Sequence, residues 1–193
     1  MQQVNAILTS TPTHIAGTGG FLDPKSITDR FDLREGMRVA DFGSGGGYFT
    51  IYIAEKVGES GRVYALDILE DKLDSLRAKA RANGLENIET IRTNLEIIGS
   101  SSLANNSQDL VLLANILFQS NKKDDIFKEA SRVLKKDGET VVIDWKKGAG
   151  GFGPPDDLRP DEKEVKLIAE KNSLSFLKEI STGQFHFGLI FKK

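Results

Sequence analysis

Several residue types that build common functional sites are absent or rare in this chain. The 193 residues include no Cys, which excludes disulfides and Cys-ligated zinc, and only 2 His, which excludes a His-rich metal site. No apolar run approaches the roughly 18 residues that a membrane-spanning helix needs. The first residues also lack the basic region and apolar stretch of a secretory signal. We therefore expect a cytoplasmic protein with no membrane span and no metal.

The charge balance is close to neutral. Lys and Arg number 26 against 28 Asp and Glu, so the formal net charge is −2, which disfavours non-specific nucleic-acid binding. A hydrophobic content of 39% and a charged content of 28% are ordinary for a globular protein of one domain. We expect that domain over residues 24–193. Residues 1–23 are polar and Gly-rich, and are expected to form an N-terminal arm, either a flexible terminus or a flap over the site.

The chain is organised around residues 38–50. Their pattern predicts a short apolar strand that ends in Asp41, then a glycine turn, and then the first turn of a helix that begins at Gly46. Four glycines lie between positions 43 and 47. Such a cluster is favourable only where the backbone needs positive φ or must approach another group closely. The free N–H groups of the following helix favour an anionic ligand. We therefore predict a nucleotide-type site at the carboxyl end of this strand.

Two common nucleotide patterns fit this turn poorly. The dinucleotide fingerprint requires a small third residue where this chain has Tyr48, whose side chain would hold the helix away from the strand. The triphosphate-binding pattern requires a Lys after its glycines, and none follows Gly47.

A second acid lies at the end of the next predicted strand, residues 62–67. Asp67 follows the glycine turn by roughly twenty residues, a position from which a carboxylate can accept hydrogen bonds from both ribose hydroxyls. Taken alone, Asp67 would read as a helix cap. An acid at this position could bind the ribose of any adenosine-containing ligand. It therefore does not distinguish NAD from S-adenosylmethionine.

The remaining patterns alternate between helices and strands. An amphipathic helix is predicted over 70–83, strands over 87–92 and 109–114, and a helix capped by Asn121 with Leu134 on its apolar stripe. A strand over 140–145, a helix ending near Lys171 with Leu167 on its buried side, and strands over 174–180 and 184–191 follow.

The turn resembles that of the class I S-adenosylmethionine-dependent methyltransferases, whose acid-x-Gly-x-Gly-x-Gly pattern reads here as Asp41, Gly43, Gly45 and Gly47. Residues 131–138 are similar to the Arg-Val-Leu-Lys-Pro-Gly-Gly turn of the same family. The resemblance implies an α/β Rossmann-like doubly wound sheet of seven strands, with order 3-2-1-4-5-7-6 and strand 7 antiparallel. It implies S-adenosylmethionine as cofactor, S-adenosylhomocysteine as product, and these cofactor-binding residues: Asp41, Gly43, Ser44, Gly45, Gly47, Tyr48, Asp67, Ile68, Asn94, Leu95 and Ala114.

In members of this family, the methyl acceptor binds at the carboxyl end of the fourth strand. Base-methylating members carry Asn/Asp-Pro-Pro-Phe/Tyr there, whereas Ile116 and Leu117 stand between Asn115 and Phe118 here. The segment looks more like the ubiquinone and menaquinone biosynthesis branch, type 11, with Gln119 at a usual His. The Gly-Pro-Pro…Arg and His-Phe-Gly segments resemble a small bacterial subgroup. The substrate-side candidates are Asn115, Asp144, Arg159 and His186. The last three candidates have alternative interpretations. Asp144 could cap the end of a strand, Arg159 could be a surface charge, and His186 could be a solvated strand residue.

Three functions remain open from the sequence. The favoured one is transfer of a methyl group to a small-molecule acceptor by in-line displacement. The second is methylation of RNA or protein, and the third is a non-catalytic module that binds S-adenosylmethionine or a partner. The fold accommodates many acceptors, so the resemblance does not identify this one.

Overall fold

The computed structural model describes residues 22–193, so almost all of the expected N-terminal arm lies outside the described residues. The strands in chain order are β1 (Arg38–Phe42), β2 (Arg62–Asp67), β3 (Ile88–Arg92), β4 (Gln108–Ala114), β5 (Leu134–Trp145), β6 (Ser175–Glu179) and β7 (His186–Lys192). The α-helices within this range are α1 (Pro24–Thr28), α2 (Thr50–Val57), α3 (Glu70–Ala82), α4 (Lys123–Val133) and α5 (Glu162–Lys171). None of these helices combines the length and apolar content needed to cross a membrane.

The strands form one sheet in the order β3-β2-β1-β4-β5-β7-β6. Strand β7 pairs antiparallel with both of its neighbours, while β1 to β5 pair in parallel. The predicted order and the reversed seventh strand are therefore confirmed. The chain runs outward from β1 to β3 and then returns to place β4 beside β1, which creates the crevice where open α/β sheets bind ligands.

The core follows from the apolar runs of the central strands. Leu110 to Leu113 of β4 are at most 1% exposed, because helices cover both faces of the sheet. On one face α4 and α5 contribute side chains such as Phe127 and Val165. On the other face α1 and α2 contribute Ile27 and Ile53. The two layers hold the carboxyl ends of the parallel strands at a common edge.

Two helices begin later than the sequence pattern suggests. Helix α2 begins at Thr50 instead of Gly46, because the positive φ of Gly45 and Gly47 is not helical. Helix α4 begins at Lys123 after Lys122, so the predicted cap at Asn121 is wrong. The Ser120 hydroxyl accepts from the Lys122 backbone N–H at 2.9 Å, and it fixes the chain just before this helix.

The structure also differs from the sequence-based predictions for two leucines, Leu134 and Leu167. Leu134 is buried as expected, but it begins β5 and pairs with Gln108 instead of ending the helix. A register shift between Gln108 and Leu110 lies where β4 pairs with the end of the predicted turn at 131–138. Leu167 was expected on the buried side of α5 and is 67% exposed.

Candidate functional site

The glycine turn, residues 43–49, leaves β1 at the crevice edge and is pinned to the neighbouring strand. The backbone N–H groups of Gly43 and Ser44 both donate to the carbonyl of Leu66, at 2.8 and 2.9 Å. Gly47 has φ +79°, and a Cβ there would overlap the Leu76 side chain. Gly45 has φ +52° and no atom within 4 Å of the place a Cβ would take. The turn thus packs tightly at Gly47 and leaves open space at Gly45.

Asp41, near the end of β1, lies beneath this turn. It is 2% exposed, and the Thr50 hydroxyl donates to its Oδ2 at 2.6 Å. Burial raises the pKa of Asp41 to about 7, and the charge of Asp67 adds to the rise despite the hydrogen bond from Thr50. A cationic group bound next to this carboxyl would favour its ionised form.

Asp67 joins the end of β2 to the turn. Its Oδ2 accepts from the Gly45 backbone N–H at 2.8 Å, and its Oδ1 accepts from the Leu69 backbone N–H at 2.9 Å. A carboxylate has about four lone-pair sites, so both oxygens can accept further hydrogen bonds. Asp67 can therefore fix the turn and still bind the vicinal hydroxyls of a ribose.

Two cavities meet at this edge of the sheet. The β3-side cavity has a volume of about 290 Å³ and is lined by Gly43, Asp67, Ile68, Thr93, Asn94, Leu95, Glu96, Asn115, Ile116, Gln119, Ser120 and Ile126. The glycine-turn cavity has a volume of about 490 Å³ and is lined by Asp41, Gly43, Ser44, Gly45, Gly46, Tyr48, Phe49, Lys72, Ser75, Lys79, Ala114, Asn115 and Gln119. Both are bounded by Gly43, Asn115 and Gln119, so together they form one cleft.

The sequence-predicted cofactor residues meet in this cleft. Ile68, Asn94 and Leu95 line the β3-side cavity, while Ser44, Tyr48 and Ala114 line the glycine-turn cavity. Gly47 lines neither cavity and packs against α3 instead.

Other cleft residues were not predicted from the sequence. Glu96 accepts from the Ser120 hydroxyl at 2.6 Å and joins the segments after β3 and β4. Glu96 and Ser120 carry no local sequence pattern, since their contact joins positions far apart in the chain. Lys72, Ser75 and Lys79 were also missed, because a charged helix face normally faces solvent.

Two polar atoms in the walls of this cleft are buried without a hydrogen-bond partner among the described residues, the Ser44 Oγ and the Asn115 Oδ1. Asn115 has φ +54°, a left-handed conformation that is uncommon outside Gly. Its backbone N–H donates to the Ile143 carbonyl at 2.8 Å, which fixes the residue after β4. Buried polar groups nearly always have partners, so both atoms are suited to contact a polar ligand.

Asp144, a substrate-side candidate, lies outside both cavities. It is fully buried, and its Oδ2 accepts from the backbone N–H groups of Leu117 and Phe118 at 2.9 and 3.4 Å. Its Oδ1 accepts from the Trp145 N–H at 2.8 Å. Burial raises the pKa of Asp144 to about 7, although these hydrogen bonds oppose the rise. Asp144 fixes the short 3₁₀ helix Leu117–Gln119, which brings Gln119 to the cleft.

Arg159 and His186 also lie outside both cavities, where they surround Trp145. Arg159 is 4% exposed and donates to the carbonyls of Lys146, Gly150, Phe152 and Pro154 at 2.5–3.0 Å. The His186 ring lies 4.1 Å from the Trp145 ring. Burial lowers the pKa of His186 to about 4, and the charges of Arg159 and Lys146 add to the shift. His186 is therefore neutral at pH 7, and neither residue is a solvated surface group.

Known proteins resemble this chain in sequence and in fold. A family model described as "Methyltransferase domain" matches residues 33–183. Demethylmenaquinone methyltransferase of Geobacillus stearothermophilus is 32% identical over 120 residues, which cover 62% of this chain and 50% of that protein. Arsenite methyltransferase of Aquipseudomonas alcaligenes is 32% identical over 116 residues, covering 58% of this chain and 34% of that protein. The chain thus spans half or less of the length of these two relatives.

A solved structure extends the similarity to nearly the whole chain. The crystal structure of a SAM dependent methyltransferase from Aquifex aeolicus superposes with a TM-score of 0.81 and 31% identity. The match covers 89% of this chain and 90% of that one.

Proposed function

Because the chain belongs to the methyltransferase-domain family, we propose that it is an S-adenosylmethionine-dependent methyltransferase that acts on a small-molecule acceptor. The observation that carries the proposal is the cleft, in which Asp41, Asp67 and the glycine turn meet at the crevice between β1 and β4. The related chains named as methyltransferases support the same activity.

The described residues fit each part of this cofactor. Asp67 would accept hydrogen bonds from the ribose hydroxyls, and the β3-side cavity would take the adenine between Ile68, Asn94 and Leu95. The glycine-turn cavity would take the amino-acid end, with Asp41 near its ammonium group. The open space at Gly45 and the unpartnered Ser44 hydroxyl support this placement.

When bound, S-adenosylmethionine would supply a methyl group already activated by its positive sulfur. The chain then has to align the acceptor with that methyl group and exclude water, and orientation of this kind can account for about 7–11 kcal/mol of a barrier. Asn115 lines both cavities and has a side-chain oxygen without a partner among the described residues, which supports a role in orienting a polar group of the acceptor. A general base is required only if the acceptor must lose a proton.

We assign the other three substrate-side candidates to supporting positions. Asp144 fixes the segment that carries Gln119, and Arg159 fixes the loop after β5. His186 supports Trp145 beneath that loop. Residues 24–193 are proposed as one domain, preceded by an N-terminal arm over residues 1–23. The expected cytoplasmic location and the absence of a metal stay predictions.

The first test is thermal unfolding with S-adenosylmethionine, S-adenosylhomocysteine or NAD at matched concentrations. A ligand at 100 times its Kd should raise the free energy of unfolding by about 2.7 kcal/mol. We expect both sulfur compounds to stabilise the protein and NAD to have no effect. Asp67→Asn should remove most of the shift, whereas Asp71→Asn, an exposed acid on α3 outside the cleft, should keep it. Stabilisation by NAD alone would refute the proposal.

The acceptor class is tested by transfer of a labelled methyl group. The panel should include demethylated quinones and arsenite, the compounds in the names of the two relatives, together with RNA and protein. Turnover on a small molecule supports the proposal, and turnover on RNA or protein alone supports the second hypothesis. Cofactor binding without turnover on any acceptor would favour a binding module.

A further inference from the structure

One face of helix α3 borders the glycine-turn cavity. Lys72, Ser75 and Lys79 follow the spacing i, i+3 and i+7, which places them on one side of the helix, and all three line that cavity. The cavity therefore has a buried carboxyl, Asp41, in one wall and two lysines in another. None of these α3 residues belongs to the glycine pattern or to the substrate-side candidates.

Lys79 contacts the glycine turn directly. Its Nζ donates to the Gly46 carbonyl at 2.7 Å and lies 4.4 Å from the centre of the Tyr48 ring. A Cβ at position 46 would lie 3.4 Å from the same Nζ, an ordinary van der Waals distance, so the ammonium group packs directly against this residue. The bonds from Gly43 and Ser44 to Leu66 hold the first half of the turn, and Lys79 holds the second half.

No ion pair within the described residues balances the positive charge on this wall. Among residues 22–193 neither Lys72 nor Lys79 has an ion pair, and Lys72 is exposed at the rim of the cavity. Burial lowers the pKa of Lys79, and the like charge of Lys72 adds to the decrease. An anion between the two ammonium groups would relieve this repulsion.

We propose that Lys72 and Lys79 form a subsite for the carboxylate of the cofactor's amino-acid end. This inference rests on the proposed function, since it assigns the amino-acid end to the glycine-turn cavity. An α-amino acid carries an ammonium and a carboxylate group, and the cavity offers Asp41 to the first and the two lysines to the second. Lys79 keeps its bond to Gly46 and contributes its remaining donors, since an ammonium group has three.

The experiment measures Kd by calorimetry for two ligands that differ only in the carboxylate. These are S-adenosylhomocysteine and its decarboxylated analogue, the aminopropyl thioether of adenosine. We expect the unchanged protein to bind S-adenosylhomocysteine at least about tenfold more tightly, equivalent to about 1.4 kcal/mol. Lys72→Met and Lys79→Met should each weaken that ligand several-fold and leave the analogue nearly unaffected, so that the ratio of the two Kd values falls toward one.

Arg81→Met is the matched control, because Arg81 lies on the same helix, is exposed and does not line the cleft. It should leave both Kd values unchanged. Thermal unfolding of each variant shows whether the fold persists, and Lys72→Met tests the charge without touching the turn.

Distinct outcomes would overturn the inference. If Lys79→Met weakens both ligands equally and Lys72→Met weakens neither, Lys79 acts only by holding Gly46 and the carboxylate subsite is refuted. Equal Kd values for the two ligands in the unchanged protein would refute it as well. If the unchanged protein binds neither ligand, the proposed function itself fails, which is a separate result from loss of carboxylate selectivity.

Discussion

Two buried carboxyl groups, Asp41 and Asp144, lie at the carboxyl edge of the sheet, and burial raises the pKa of each to about 7. Their surroundings differ. Asp41 accepts one side-chain hydrogen bond and lines the cleft, whereas Asp144 accepts three backbone N–H bonds and lies outside it. Asp41 is therefore suited to respond to a ligand, and Asp144 is suited to hold backbone in place.

Asp41 should make the protein less stable as the pH rises. An unfolded Asp ionises near 3.8, while folded Asp41 keeps its proton to about 7. Its contribution to stability is thus complete below about pH 4 and lost as the pH rises through about 7. Asp41→Asn should remove the Asp41 part of this dependence, leave the part due to Asp144, and raise the free energy of unfolding at pH 8 by about 1–3 kcal/mol, measured by urea unfolding across the pH range.

Asp144→Asn is the control for that prediction. Backbone N–H groups donate to both of its carboxyl oxygens, so the amide nitrogen of Asn would have to face a donor. This variant should be destabilised at every pH. A pH profile of Asp41→Asn that runs parallel to that of the unchanged protein would show that Asp41 does not titrate in this interval.

Gly45 and Gly47 form a matched pair in the turn, since both have positive φ but only Gly47 is packed against a side chain. Gly47→Ala should cost about 2–4 kcal/mol of stability, from left-handed strain and overlap with Leu76. Gly45→Ala should cost only about 1–2 kcal/mol but should strongly weaken S-adenosylhomocysteine, because its methyl group enters the cleft. Urea unfolding measures the loss of stability, and calorimetry measures the loss of affinity for S-adenosylhomocysteine. Equal loss of stability in both variants would contradict the packing difference.

At the scale of elements, the buried side chain of Arg159 makes four hydrogen bonds to the loop after β5. Arg159 donates to four carbonyls between positions 146 and 154, and Gly153 lies so close to the Trp145 ring that a Cβ would overlap it. Trp145 is only 8% exposed beneath this loop. Residues 146–154 therefore form a cap on the carboxyl end of β5 and precede a short 3₁₀ helix, Asp156–Leu158.

Arg159→Lys should release this cap, because one ammonium group cannot reach four carbonyls in the fixed geometry of a guanidinium. We expect a loss of about 1–3 kcal/mol. Because Trp145 is the single Trp of the chain, its emission should shift to the red and become accessible to acrylamide. Arg81→Lys, on the exposed side of α3, should leave the emission unchanged. An unshifted spectrum for Arg159→Lys would mean that other contacts hold the loop.

At the scale of the whole molecule, the last strand in the sequence is an internal strand of the sheet. Strand β7 lies between β5 and β6 and buries Phe187, Leu189, Ile190 and Phe191. Each such side chain contributes about 1.5–3 kcal/mol on burial. Their sum is comparable to the entire stability of an ordinary domain, about 5–15 kcal/mol. The sheet is thus complete only when β7 has paired with both of its neighbours.

Deletion of residues 186–193 should therefore abolish cooperative thermal unfolding, as measured by circular dichroism. Lys192→Ala, which removes only an exposed ion pair with Asp137, should change stability by less than about 1 kcal/mol. A truncated protein that still unfolds cooperatively would show that β1 to β5 form a stable sheet without β7.

Local patterns predicted much of the fold and part of the site. The apolar runs marked the strands, and the acids at their ends marked Asp41 and Asp67, because strand period and chain direction follow from nearby residues. Boundaries were less well predicted. Helix α2 begins at Thr50 and not at Gly46, since the glycine conformation, not the propensity of the flanking residues, decides where helical geometry can begin.

Short stretches of neighbouring residues were enough to predict the glycine turn and the two acids at the strand ends, whereas the sheet order was implied by the resemblance to the methyltransferase family. The roles of residues whose partners come from distant parts of the chain became visible only in the packing. It placed Arg159 on loop carbonyls and His186 against Trp145, and it brought Lys79 of α3 to the Gly46 carbonyl. A charged residue on a helix looks the same in sequence whether it faces solvent or a cleft, because packing alone sets which elements meet.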